Sequence, residues 1–367
     1  MLRGDEAVRD VCVVLLSGLG DVVHGLPVVN ALKRDDPTRR ITWVVEPLSA
    51  PLLRHHPAVD EVVVFEKRKG PRGVLQLARS MAGRRWDLTL NFNIYFKSVF
   101  PTVLSRAPVR VGLDRGRSAD GVWLFANVRT PPRPRAHTQD MFLELLDVVG
   151  VEPRPVTWRL TPTAEERAEQ HAFFERFQRP VVAIVPASAN PRKDWIPERY
   201  AVVIDALHGD FGMDSVIVGG PSERERQLTD RILDAASSRP TVALGEGVRR
   251  LLWLLGGSSL VIAPDTGPVH VARAMDVPVI GLYGHTNPWR VGPWRRYEDL
   301  WVDAYTEPGD PPDPSDAAPK LGRMTRITPE SVLVRVDRAV AGYGVGRAGP
   351  RATDRRGEAE LRRGDGG

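Results

Sequence analysis

The chain has 367 residues, 42% apolar and 26% charged. This ordinary globular usage excludes a fibrous or wholly disordered protein and, at roughly 100–200 residues per domain, points to two domains. With a net charge of +5, no apolar run near the ~18 residues of a membrane span and a mixed-charge start where a signal peptide would need an apolar core, the expected location is the cytoplasm.

Short apolar runs alternate with helix-length stretches, the pattern of βαβ units and a parallel sheet. Strands are expected at 11–16, where the single cysteine, Cys12, reads as a small core hydrophobe, then at 41–46, 61–65, 88–92 and, more weakly, 109–112. One cysteine makes neither a disulfide framework nor a cysteine metal site. The helix after the first strand carries Val22, Leu26 and Val29 on one face. Residues 1–155 thus read as one doubly wound domain, and the proline-bearing, then charged stretch 156–180 as a connector. A second set of strands at 181–185, 215–219, 241–244, 259–263 and 278–283 makes a similar domain over 181–325. Residues 306–320, with five prolines, read as a long loop. Thr328-Pro329-Glu330 then starts a last helix, 326–341, before a Gly/Arg-rich tail, 342–367, expected to be disordered.

Charge is uneven along this frame. From Lys67 to Arg117 twelve basic residues face two acids, Asp87 and Asp114. The segment suits a solvated surface, a phosphorylated substrate or an anionic membrane face. Nucleic acid is not expected as a partner, because interleaved aromatics and a recognisable nucleic-acid motif are missing.

Three strand-to-helix loops could carry chemistry. In Ser17-Gly18-Leu19-Gly20-Asp21 the glycines allow close backbone approach, as in a dinucleotide fingerprint, with Glu46 imitating the ribose-binding acid. However, the third glycine is replaced by Val23, and Asp21 puts negative charge where a pyrophosphate wants a positive helix end. Asp21 can instead cap the helix or act as a general base; His24 is either a second polar contact or a packed ring. After the 181–185 strand, Ser188 and Lys193 offer a hydroxyl and a cation suited to a diphosphate. After 259–263, Asp265-Thr266-Gly267-Pro268 presents a hydroxyl and amides at a helix start, leaving Asp265 for sugar hydroxyls. No Asp-x-Asp pair and no His-x-x-x-His spacing occurs, so no metal site is expected, and leaving-group charge falls to Lys193, amides and helix dipoles.

Taken in order, Leu16–Pro27, Trp43-Val44-Val45-Glu46, Lys193-Asp194-Trp195, Asp265–His270 and Leu282–Pro288 resemble glycosyltransferase family 9, the ADP-heptose:lipopolysaccharide heptosyltransferases. The likeness runs from about residue 11 to the closing Ile327-Thr328-Pro329-Glu330 and on to about 340. It implies a GT-B fold, two Rossmann-like doubly wound parallel-sheet domains facing a cleft, with the terminal helix packing back toward the first domain. It implies ADP-heptose as donor, a lipid-A-linked core oligosaccharide as acceptor, no cofactor, and inverting, metal-independent transfer at the inner face of the cytoplasmic membrane. Residue by residue, Asp21 matches the catalytic base, with His24 and Lys97 on the acceptor side. Ser188, Lys193, Asp265, Thr266, Gly267 and His270 match the donor site, and Glu223 the acid near the ribose, with Glu225 the other register. Trp43-Val44-Val45-Glu46 points within the family to transfer onto the first Kdo-linked position. The chain departs from the family pattern at Asn91-Phe92-Asn93, ahead of Lys97-Ser98, and at His285 and Asn287 in Gly284–Pro288; the cysteines common in the late loop are missing.

Overall fold

The computed structural model describes residues 8–245 and 247–346; the expected tail falls outside it from residue 347 onward. The first domain runs β1 (Asp10–Val14), α1 (Leu19–Asp35), β2 (Arg40–Val45), α2 (Ala50–Arg54), β3 (Glu61–Val64), α3 (Pro71–Met81), β4 (Leu88–Asn91), α4 (Val99–Leu104), β5 (Val109–Gly112), β6 (Val128–Arg129) and α5 (Thr138–Val149). After α6 (Ala164–Phe174) the second follows with β7 (Val181–Ile184), α7 (Pro197–Gly209), β8 (Asp214–Gly219), α8 (Glu223–Ala235), β9 (Thr241–Leu244) and α9 (Val248–Gly257). It closes with β10 (Leu260–Pro264), α10 (Gly267–Ala274), β11 (Val279–Tyr283), α11 (Pro288–Val291), β12 (Val302–Asp303) and α12 (Pro329–Tyr343).

Each domain has one six-stranded sheet, in the orders β3-β2-β1-β4-β5-β6 and β12-β11-β10-β7-β8-β9. All pairings are parallel, so both sheets have the same doubly wound order. Helices cover both faces, which is why the strands read as unbroken apolar runs. In β1 and its extension Val11, Val13 and Leu15 enter one core and Cys12, Val14 and Leu16 the other. Burial pushes the Cys12 thiol up to about 12, so it stays protonated and packs as a hydrophobe.

Two strands, β6 and β12, lie at sheet edges and are only two residues long, too short for an apolar period to show. The connector is not a passive link: α6 packs on α9, where the Phe174 ring lies against Gly257. The terminal helix starts where expected, with the Thr328 side chain accepting from the Ser331 amide, and runs on to Tyr343. Its packing corrects the expectation from the resemblance. The buried stripe Val332, Val336 and Ala339 belongs to a helix seated on α7, β11 and β12, and Arg335 donates to the Trp301 carbonyl, so it is held by the second domain.

Candidate active site

In doubly wound sheets ligands bind beyond the carboxyl ends of the strands, where the strand order reverses. Here those switch points lie between β1 and β4 in one sheet and between β7 and β10 in the other. The loops after these four strands carry Ser17 to Asp21, Asn93, Ser188 to Lys193, and Asp265 to Gly267. The domains meet there as well. α1 packs on α10, and a Cβ added to Gly20 would come 2.5 Å from His270 Cδ2, while one added to Gly267 would come 2.8 Å from Leu19 Cβ. Glycine at both positions is what lets two helix starts face each other across the cleft.

Asp21 stands in the first turn of α1, whose N-cap is Gly18 without a side-chain cap, so it does not cap the helix. Burial pushes its carboxyl pKa up; the Ser17 hydroxyl bond opposes this, the Asp265 charge adds to it, and Lys97 and Arg290 oppose it. Ser17 is in turn held. Asn93 Nδ2 donates to Ser17 Oγ (2.9 Å), Asn93 Oδ1 accepts from the Leu16 amide (2.7 Å), and Asn91 Oδ1 accepts from the Asn93 amide (3.0 Å). The departures Asn91 and Asn93 therefore brace the hydroxyl that faces Asp21. Because that hydroxyl favours the ionised carboxylate, Ser17→Ala should raise the Asp21 pKa further. The acidic limb of the kcat/KM profile would then move to higher pH, and an unmoved limb would remove the contact from the mechanism.

Lys97 donates to Glu46 Oε1 at 3.1 Å, and Lys67 reaches the same oxygen at 2.6 Å. Glu46, weighed as a ribose acid, is thus engaged by two lysines of the first domain. Desolvation lowers the Lys97 pKa, and Glu46 opposes that shift.

Across the cleft Lys193 Nζ lies 2.6 Å from Asp265 Oδ2, which also accepts from Thr286 Oγ1 at 2.6 Å. Thr266 is the N-cap of α10 and makes no side-chain cap bond, so the amides of that helix start are not capped by it. Ser188 Oγ donates to the Asn190 carbonyl (2.7 Å), and its amide donates to Asp194 (2.8 Å). Arg224 pairs with Asp194 at 2.9 Å and donates to the Ser188 carbonyl.

His24 is a buried ring at the interface. Its Nδ1 lies 3.1 Å from Gln139 Oε1, and its ring centroid 4.4 Å from that of His270 and 5.6 Å from that of His137. Burial, then the neighbouring imidazoles, drive its pKa well down; burial, His137 and Lys193 push His270 down to about 3. Both rings are therefore neutral at pH 7. His137 ties the domains through a 2.9 Å bond from Nε2 to the Gly292 carbonyl.

Glu223 is not among these groups: it is exposed on α8 and bonded to Arg226 and Gln227. Glu225 lies nearer the β8 end, accepting from the Gly220 amide (2.7 Å) and closing a capping box with Ser222. Sequence reasoning missed Arg290, which faces Asp21, and Arg224. Arg290 lies two residues beyond Pro288 of a flagged motif, a position that could have drawn notice. His285 and Asn287 anchor the proline-rich loop: His285 O accepts from the Lys320 amide (3.0 Å), and Asn287 Nδ2 donates to the Asp313 and Asp316 carbonyls at 2.7 and 2.9 Å.

Residues 74–308 match the family described as glycosyltransferase family 9 (heptosyltransferase). The chain is also 30% identical over 339 residues to the lipopolysaccharide core heptosyltransferase OpsX of Haemophilus influenzae, covering 89% of this chain and 96% of that protein. The chain belongs to glycosyltransferase family 9. It is a glycosyltransferase, and its fold is GT-B. The Veillonella parvula family 9 glycosyl transferase superposes with a TM-score of 0.75 at 23% identity, over 91% of this chain and 97% of that one. For the Escherichia coli ADP-heptose lps heptosyltransferase II the values are 0.71 and 19%, over 91% and 99%. The Escherichia coli heptosyltransferase WaaC with ADP gives 0.67 and 18%, over 90% and 98%.

Proposed function

We propose that this enzyme builds the lipopolysaccharide core by moving heptose from ADP-heptose to a hydroxyl of the Kdo-linked inner core on lipid A. The observation that carries the reading is the juxtaposition across one cleft of a carboxylate with raised pKa, Asp21, and the Lys193–Asp265–Thr286 cluster beside the α10 start. The Asp21 carboxylate takes the acceptor hydroxyl proton as that oxygen attacks the anomeric carbon. The bond from that carbon to the diphosphate oxygen breaks on the opposite face, so configuration inverts and ADP leaves. Lys193 and the Thr266 and Gly267 amides meet the charge that develops on the diphosphate. Ser188 and His270 line the donor side, Asp265 and Thr286 take sugar hydroxyls, and Lys97 and Lys67 meet the acidic acceptor.

The donor is supported by relatives whose structures hold ADP and ADP-2-deoxy-2-fluoro heptose. The mechanism is read as metal-independent, with Lys193 and the α10 amides in place of a divalent cation; among the described residues no group of three or more His, Cys, Asp and Glu could hold a metal ion. No helix among them is long and apolar enough to cross a membrane, and the basic segment from Lys67 to Arg117 suits a peripheral position on an anionic bilayer.

The test is ADP release from ADP-heptose with Kdo-containing lipid A, in EDTA. Acceptor-dependent release is expected. If release occurs only when a divalent cation is restored, the metal-independent mechanism fails; if ADP binds but nothing is released, the donor or acceptor assignment fails.

A further inference from the structure

Folding gathers a feature that is scattered in the sequence. Among the described residues eleven large hydrophobic side chains stay exposed, and five of them lie in two neighbouring segments of the first domain: Tyr95 (53%), Phe96 (48%), Phe100 (37%), Val103 (50%) and Leu124 (63%). All three exposed aromatics fall in this group. The segments are contiguous in space, since the Phe96 ring centroid lies 5.9 Å from that of Phe100 and 6.4 Å from that of Phe125. Trp123, two residues before Phe125 in the same short helical turn, has the Arg115 and Arg129 guanidiniums each 5.2 Å from its ring centroid.

Charge accompanies the aromatics. Arg72 and Arg106, exposed on and beside the neighbouring helices α3 and α4, have no ion-pair partner among the described residues. An exposed apolar patch rimmed by cations is unusual on a soluble monomer and is the composition that a bilayer interface with anionic headgroups accepts: rings at acyl depth, guanidiniums at the phosphates. Its place is equally particular. Phe96 is followed directly by Lys97, which faces Asp21, so the patch borders the acceptor side of the cleft.

We infer that this aromatic rim, residues 95–103 with 122–125, is a membrane-docking surface that inserts into an anionic leaflet and presents the cleft to an acceptor held in that leaflet. The inference deepens the peripheral position proposed above, and its orientation rests on the reading of Asp21 and Lys97 as the acceptor side; the vesicle measurement tests the docking apart from the transfer reaction. A lipid surface is favoured over a protein partner because the patch carries the Arg115 and Arg129 guanidiniums at Trp123, with Arg72 and Arg106 exposed on and beside the neighbouring helices, a match to headgroup phosphate.

The test uses the full chain and vesicles of phosphatidylglycerol and phosphatidylethanolamine, with no donor or acceptor, against vesicles of phosphatidylcholine. The expected result is co-sedimentation with the anionic vesicles that weakens as salt is raised. The double variant Phe96→Ser/Phe100→Ser and, independently, Leu124→Ser should lower partitioning, by about tenfold for the double variant, with ADP affinity and unfolding temperature unchanged. Where transfer is measurable, the double variant should match wild type on an acyl-free acceptor and fall behind on a vesicle-embedded one. Failure of the wild type to bind anionic vesicles, or variants that bind like wild type, would overturn the inference. So would substitutions that only dissociate a dimer of this chain, which would make the patch a self-association face. Because the vesicle arm needs no sugar nucleotide, its outcome does not depend on which sugar is transferred.

Discussion

Asp21→Ala and Asp21→Asn are each expected to lower turnover by about 10²–10⁴-fold, the usual contribution of a general base, while the ADP dissociation constant stays nearly unchanged. On the proposed mechanism Asp21 would meet the acceptor proton only as the new bond forms, whereas ADP would be held by groups of the other domain. Equal losses in turnover and ADP affinity would remove Asp21 from the base role. The pH profile supplies a second sign. The base works ionised, and burial holds its pKa above the ordinary value of 3.8, so kcat/KM should rise with pH along a limb lying above the usual aspartate range. That limb should vanish in Asp21→Asn. Lys97 and Arg290 oppose the upward shift, so replacing either should carry the wild-type limb further up.

The parts of this fold that could be read from the sequence are those where one physical cause dominates. Interior parallel strands such as β1 and β10 are buried on both faces and show as continuous apolar runs, and the loops after them stand out by glycine, hydroxyl and charge. The edge strands β6 and β12 carry no such pattern. The same division holds for the site. Asp21, Lys193 and Asp265 sit in local motifs, but the brace from Asn93 to Ser17 exists only because β4 pairs with β1, a neighbour distant in sequence. The Arg290 charge acts on Asp21 from the other domain, which no local spacing reveals. Glu223 and Glu225 show the opposite case. The pattern Ser222-x-x-Glu225 is a capping box legible in the sequence and assigns Glu225 to the turn after β8, leaving Glu223 on the exposed face of α8. The packing of α12 was not legible, since a stripe of Val332, Val336 and Ala339 states that a face is buried and not what buries it.

Lys193→Ala should weaken ADP binding by about 10–100-fold, the range of a lost charge-assisted contact, and weaken AMP binding much less. Lys193 forms a 2.6 Å bridge to Asp265, itself buried and bonded to Thr286, so removing the lysine does two things at once. It deletes the cation that would meet the diphosphate, and it leaves a carboxylate without its cationic partner beside the place where two phosphates must sit. Asp265→Asn isolates the second effect. If Lys193 acts on the diphosphate itself, Lys193→Ala in the Asp265→Asn background should still cost affinity for ADP, and titration calorimetry of the four proteins gives the coupling between the two residues. If the double variant binds ADP as well as Asp265→Asn alone, Lys193 serves only to neutralise Asp265, and the diphosphate contact must be sought at Arg224 and the α10 start instead.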